Sequence, residues 1–212
     1  METRAETEKR ACAHSLPETD ASGCGHRHFD KATALLSDEH RVIERVLAAL
    51  EKLTDKPARE ALESWKLALG FFRHFADQCH HFKEEKVLFP ALEEHGIPRD
   101  RGPIGLMLME HEEGRAHVRA MFGALAATDA KDQSAETTLF ENARQYLRLL
   151  REPIQKEDEI LFRMADEVIP ADEQRKLLKN FEAHEAEEIG AGVHEKYLRM
   201  ADELARPGYD TD

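Results

Sequence analysis

The sequence is poor in residues that break helices and in residues that form disulfide frameworks. Its 212 residues include 11 glycines, 8 prolines, 3 cysteines and one tryptophan. Because three cysteines do not suggest a disulfide framework, we expect a reducing cytoplasmic location. No apolar run approaches the roughly 18 residues that a membrane span needs. The N-terminal segment also lacks the apolar run of a signal peptide.

Positive charge is also in short supply. The chain has 30 Lys and Arg against 43 Asp and Glu, which gives a formal net charge of −13. Such an acidic chain has no general attraction for nucleic-acid phosphates or anionic lipid, so we expect neither partner. Apolar residues make up 41% of the chain, which is enough for a packed core. Histidine, in contrast, is abundant, with 12 copies.

The composition and the periodicity of apolar residues predict an all-α protein. Helical periodicity predicts five helices, at about residues 31–53, 58–94, 103–127, 135–167 and 171–205. Short loops between them favour an antiparallel four-helix up-down bundle with an additional C-terminal helix. We expect residues 30–206 to form this bundle domain. Residues 1–29 are predicted to be a flexible tail, whose cysteines and histidines match no zinc-site spacing.

The apolar stripes of four predicted helices contain side chains that can bind a metal ion. A buried carboxylate is costly unless a cation or a proton balances its charge. Imidazoles and carboxylates from facing helices are the donors of non-haem iron sites in bundles. The sequence therefore predicts a metal site whose candidate ligands, in helix order, are His40, His80, Glu84, His111 and Glu157.

Two neighbouring positions leave alternatives open. His81 and Glu85 repeat the spacing of His80 and Glu84, but they lie roughly 100° further round an α-helix, on a wetter face. We therefore favour the pair formed by His80 and Glu84. Arg115 lies within the stripe of the third helix, where it either pairs with a ligand carboxylate or extends to the surface.

Four segments around these residues resemble the hemerythrin-like family of HHE cation-binding domains. They are LLSDEHRVIERVLAALE, CHHFKEEKVLFPALEEHG, LMEHEEGRAHVRAM and IQKEDEILFRMAD, in order on successive helices. The C-terminal FEAHEAEEIGAGVHEKY resembles the fifth-helix extension of a bacterial branch of that family. The resemblance implies a non-haem iron pair that is bridged by two carboxylates. Such proteins bind or sense dioxygen or nitric oxide, or react with peroxide.

The resemblance also implies individual ligand roles. His40, His80 and His111 match family histidines, and Glu84 and Glu157 match the bridging carboxylates. Asp158 is the alternative to Glu157, one residue further on.

The chain departs from the family pattern at two positions. Arg115 and Pro153 stand where the family has further histidines, so one side of the iron pair loses two nitrogen donors. This departure argues against simple reversible dioxygen carriage.

The fifth predicted helix offers a replacement ligand. His194 lies on a face lined by small residues, which would let that helix approach the bundle closely. We therefore expect His194 to reach the depleted iron. The rival face of the same helix carries His184 and Glu188.

Together these features predict a cytoplasmic iron protein, holding two non-haem iron ions, whose partner is a small oxidant. Dioxygen, peroxide and nitric oxide are the candidate oxidants, and binding, sensing and turnover all stay open as activities. The alternative is a non-catalytic module for iron storage or sequestration, or a structural zinc site. Histidine and carboxylate donors also accept manganese and zinc.

Overall fold

The computed structural model describes residues 29–129, 133–190 and 192–206. Apart from residue 29, the predicted N-terminal tail lies outside these ranges. Within them all regular structure is helical, which confirms the all-α prediction. No helix in the described ranges combines the length and the apolar composition of a membrane span.

Four helical stretches form the bundle. Helix α1 is Ala32–Leu53, and a short 3-10 turn, Ala58–Glu60, precedes helix α2 at residues 62–94. Helix α3 is Pro103–Asp129, and helix α4 covers residues 133–168. Helices α3 and α4 are antiparallel, because α3 residue Glu110 contacts Lys156 whereas His117, further along α3, contacts Asn142.

Helices α2 and α4 change their winding where they pass the middle of the bundle. Helix α2 is α-helical at Leu62–Phe71 and Phe89–Glu94, and π-helical at Phe72–His81 and Glu84–Leu88. Helix α4 is π-helical at Glu157–Leu161. A π-helix bonds residue i to residue i+5, so each residue turns the chain by less than an α-helical residue does. Such segments are frequent at functional sites.

The predicted fifth helix is two helices. Helix α5 is Ala171–His184, extended by the π-helical turn Glu185–Ile189, and helix α6 is Val193–Leu204. Gly190 and Gly192 separate them with φ values of 99° and 78°, in the left-handed region that glycine adopts without strain. This break lets α6 fold back onto α1 and α2.

The apolar core is divided into two clusters along the bundle. One contains Trp65, Phe72 and Leu147, and the other contains Leu36, Phe89 and Phe162. On each of the four bundle helices, the residues between the two clusters include buried polar side chains. The fold therefore places a polar layer between two apolar ends.

Candidate metal centre

The polar layer contains five of the six sequence-predicted ligands. Each of these five side chains belongs to a residue that is at most 4% exposed. Helix α1 supplies one, α2 supplies two, and α3 and α4 supply one each. In that order they are His40, His80, Glu84, His111 and Glu157.

The two carboxylates each reach from one histidine to another. Glu157 lies between His40 and His111, with oxygen-to-Nε2 distances of 3.3 and 3.5 Å. Glu84 lies between His80 and His111, with both oxygen-to-Nε2 distances at 3.6 Å. Each carboxylate therefore lies where two neighbouring cation sites could share it.

His81 also belongs to the centre, which differs from its expected place on a wetter face. Its ring stacks on that of His111 with centroids 3.8 Å apart. One of its nitrogens lies within 4.8 Å of ligand atoms of both Glu84 and His111. The π-helical winding of Phe72–His81 explains the difference, because adjacent residues are closer in angle than in an α-helix. The adjacent histidines in CHHFKEE were the sequence signal for this.

The donors thus form two groups side by side. His40, His80 and Glu84 form one group of ligand atoms within 4.8 Å of one another, and His81, Glu84 and His111 form the other. Glu84 belongs to both groups, and Glu157 contacts a histidine of each. Each group can therefore offer two imidazoles and two shared carboxylates, and His81 could supply one of the two nitrogen donors missing from the family pattern.

Outer carboxylates face the second ring nitrogen of each histidine. The Nδ1 atoms of three histidines each lie 2.9 Å from a carboxylate oxygen, in the pairs His40–Asp158, His80–Glu39 and His111–Glu85. The fourth pair, His81–Asp77, is looser at 3.6 Å. The three short contacts hold Nδ1 as the donor and leave Nε2 to face inward, whereas Nδ1 of His81 has no hydrogen-bond partner. Asp158, the alternative to Glu157, therefore contacts the outer nitrogen of His40.

Basic side chains lie behind these outer carboxylates. Arg41 forms an ion pair with Asp158, and Lys83 forms one with Glu39. Arg115 contacts Asp77 at 2.9 Å and Glu85 at 3.0 Å. Arg115 thus pairs with two outer carboxylates, which is neither of the roles expected from the sequence.

The pKa shifts in the polar layer indicate that its buried carboxylates need additional positive charge. Burial disfavours the cationic form of His40, but hydrogen bonds with Asp158 and Glu157 outweigh it and raise the pKa of His40 to about 10. His80 has the opposite balance, because burial lowers its pKa to about 4. Burial and the neighbouring charge of Glu157 raise the pKa of Glu84 well above its usual range. Protons or metal ions can supply the missing charge.

Unpartnered oxygen atoms show that metal ions fit this layer. Both carboxylate oxygens of Glu84, and Oε1 of Glu157, are buried without a hydrogen-bond partner. A buried polar atom left unpaired costs about 1–3 kcal/mol, and more when it is charged. Metal coordination would satisfy all three oxygens. The donor set suits iron, and it also accepts manganese and zinc.

His194 lies outside the inner layer. Its Nδ1 is 3.3 Å from Glu185, 3.9 Å from Glu39 and 3.7 Å from the Sγ atom of Cys79. Because α6 starts after the glycine break, the structure brings His194 behind Glu39 and not to the bridging carboxylates. The rival His184 stacks on the Phe82 ring.

A small cavity borders the centre. It has about 20 Å³ of space for the centre of a water-sized molecule, and at least roughly 10 Å³ is needed to hold one water. Histidines of both groups and Glu157 form one side. The rest of the lining comes from Ile43, Glu110, Leu149, Leu150, Pro153 and Ile154.

Glu110 was not predicted from the sequence as a site residue. Its Oε2 is buried without a hydrogen-bond partner, whereas Oε1 lies 3.5 Å from Lys156. Its position directly before His111 in the LMEHEE segment was the only signal.

Comparison with known proteins assigns the chain to a family. Residues 31–165 match the family described as the Hemerythrin HHE cation binding domain. The chain belongs to this family. Helices α5 and α6 lie beyond the matched residues.

The curated proteins that are similar to this chain come from mycobacteria. Uncharacterized proteins of Mycobacterium tuberculosis and Mycobacterium bovis are 29% identical over 175 residues, covering 79% of this chain and 66% of theirs. The chain thus spans just under two thirds of the length of these relatives. No solved structure matches the chain significantly.

Proposed function

We propose that the protein holds two iron ions in the buried layer and binds, senses or turns over a small oxidant such as dioxygen, peroxide or nitric oxide. The observation that carries this proposal is a set of four imidazoles, three buried and one half-buried, around two shared carboxylates, next to a cavity that can hold a water-sized molecule. Membership of a cation-binding family supports the metal. A cytoplasmic location stays a prediction.

The distances between ligand atoms assign the candidate ligands to the two proposed ions. His40 and His80 would hold one ion, and His81 and His111 the other, with Glu84 and Glu157 shared. When bound, two iron ions supply open coordination positions and electrons for reaction with a small oxidant.

The chain's own residues shape access to the site. The outer carboxylates orient the imidazoles, and the basic side chains hold those carboxylates in place. Apolar side chains of Ile43, Leu150 and Ile154 line the cavity, so they favour a small neutral molecule over bulk water. The unpartnered Oε2 of Glu110 is available to hydrogen-bond a molecule in the cavity.

The test compares the proposal with its alternative, a storage or structural metal site. Structural zinc sites are four-coordinate and closed, whereas here a cavity adjoins the donors. The purified protein is analysed for metal, loaded anaerobically with ferrous iron, and then exposed separately to dioxygen, hydrogen peroxide and nitric oxide.

We expect two iron ions per chain and a visible charge-transfer band after exposure to at least one oxidant. A Glu84→Gln, Glu157→Gln double variant should lose both the iron and the band. A protein that retains zinc, or iron whose spectrum is unchanged by all three oxidants, would contradict the proposal.

A further inference from the structure

Lys83 is a fully buried cation next to the metal centre. Its ammonium forms ion pairs with Glu39 of α1 and with Glu185, which follows α5. Its side chain has 0% exposure. A buried charge is tolerated only when it is well paired, so these two carboxylates are tied to Lys83.

Glu39 connects this lysine to a candidate ligand. One of its oxygens accepts the hydrogen bond from Nδ1 of His80 at 2.9 Å, and the other pairs with Lys83. Glu39 therefore joins Lys83 to the outer nitrogen of His80.

Residues of the C-terminal helices complete the charged cluster around Lys83, which consists of Lys83, Glu39, Glu185 and His194. Glu185 pairs with both Lys83 and His194. Glu185 precedes the glycine break between α5 and α6, and His194 follows it. The ring of His194 also packs against Phe75. Glu185 therefore contacts Lys83 directly, and the break lets His194 contact Glu185, both residues lying beyond the family-matched region.

The cluster also has the composition of a metal site, because Glu39, Cys79, Glu185 and His194 offer ligand atoms within 4.8 Å of one another. The ammonium of Lys83 already lies between the two carboxylates. The lysine balances their charge and occupies the place that a cation would take. A positioning role fits these contacts better than a second metal site.

We infer that Lys83, Glu185 and His194 are positioning residues that act through Glu39 to hold Nε2 of His80 toward Glu84. Helices α5 and α6 would thereby set the geometry of the His40–His80 half of the centre. The inference rests on the proposed function in one respect, namely that His80 is a metal ligand. His40 and His111 receive their outer carboxylates from Asp158 and Glu85, so the other contacts of the centre do not depend on these helices.

The experiment uses the full chain with Glu185→Gln, His194→Ala and the matched control Glu187→Gln. Glu187 is exposed and lies two residues from Glu185, so it undergoes the same chemical change without touching the cluster. Iron binding is measured by competition with a chelator, and the two iron ions are resolved by Mössbauer spectroscopy. Lys83 is left in place, so that its buried charge does not unfold the protein.

We expect Glu185→Gln and His194→Ala to weaken one ion by about 10–100-fold, as changes to outer partners of ligands do. The Mössbauer signal of one iron should shift, while the second ion and the Glu187→Gln protein stay unchanged. Equal weakening of both ions, or no change in either variant, would overturn the inference.

A second readout separates this inference from the proposed function. In the metal-free protein, ¹H–¹⁵N spectra of the imidazoles report which nitrogen of His80 carries the proton. We expect Nδ1–H alone in the starting protein and a mixture of tautomers in Glu185→Gln. If the starting protein binds no iron, the proposed function fails while this measurement still tests the positioning role. An unchanged His80 tautomer in Glu185→Gln would contradict that role.

Discussion

Replacing His81 with alanine tests the composition of the centre most directly. The structure places His81 with Glu84 and His111 in one donor group, and His80 in the other. His81→Ala should therefore remove one ion of the proposed pair and retain the other. If His81 instead lay on the wetter face that α-helical geometry predicts, His81→Ala would leave both ions bound.

The expected magnitude follows from the number of donors. Each ion would have four protein donors, and structural zinc sites with four donors bind with about 10–16 kcal/mol. One donor therefore contributes about 3 kcal/mol, which corresponds to about a 100-fold loss of affinity. The variant should stay folded, because Asp77, which faces His81, keeps its contact with Arg115.

The assay is metal analysis after dialysis, followed by competition with a chelator. His117→Ala is the matched control, because His117 is on α3 and pairs with Asn142 away from the centre. His80→Ala should give the converse result, in which the ion of the His40–His80 group is lost and the other ion is retained. If His81→Ala binds both ions as tightly as the His117→Ala control, the assignment of His81 is wrong.

Three further predictions concern the surroundings of the centre. Arg115→Met should weaken the His81–His111 half by about 10–100-fold in a metal titration, because two outer carboxylates lose their cation. Pro153→His should raise iron retention and slow the binding of azide to the ferric protein, because the new imidazole would enter the cavity. Burial raises the pKa of Glu39, but Lys83 and His80 lower it overall from 4.5 to about 2. Ionised Glu39 therefore contributes on the order of 3 kcal/mol of stability above pH 4.5. That contribution should be lost as the pH falls through 2, and unfolding curves of Glu39→Gln at several pH values should lack it.

Much of the fold and centre could be predicted from the sequence because most of it follows α-helical periodicity. The stripes of α1 and α3 continue through His40 and His111 with the spacing of their apolar neighbours. Burial of Glu157 followed from the same spacing, because the residues before it are α-helical. For such positions the periodicity of 3.6 residues is sufficient.

His81 could not be placed in this way. The rule of roughly 100° per residue assumes an α-helix, and the Phe72–His81 segment is π-helical. A change of winding depends on contacts with neighbouring helices, which no local pattern in one sequence reports. His194 lies behind Glu39 for a different reason, because the glycines at 190 and 192 break the predicted fifth helix.

The two departures from the family pattern have different structural consequences. Arg115, at the position of an expected histidine, holds Asp77 and Glu85, the carboxylates that face His81 and His111. In the proposed centre, His81 from α2 would take the place of the imidazole missing from α3, and Arg115 would hold the carboxylates beside it.

Pro153 has no such replacement among the described residues. A proline cannot coordinate a metal, and its side chain lines the cavity beside Glu157. The missing donor on α4 therefore leaves space next to the two donor groups, where a small molecule can approach them. In the proposed centre, Arg115 would thus go with an imidazole from α2 in place of one from α3, and Pro153 would leave room for a ligand. This combination favours a reactive site over a closed structural one.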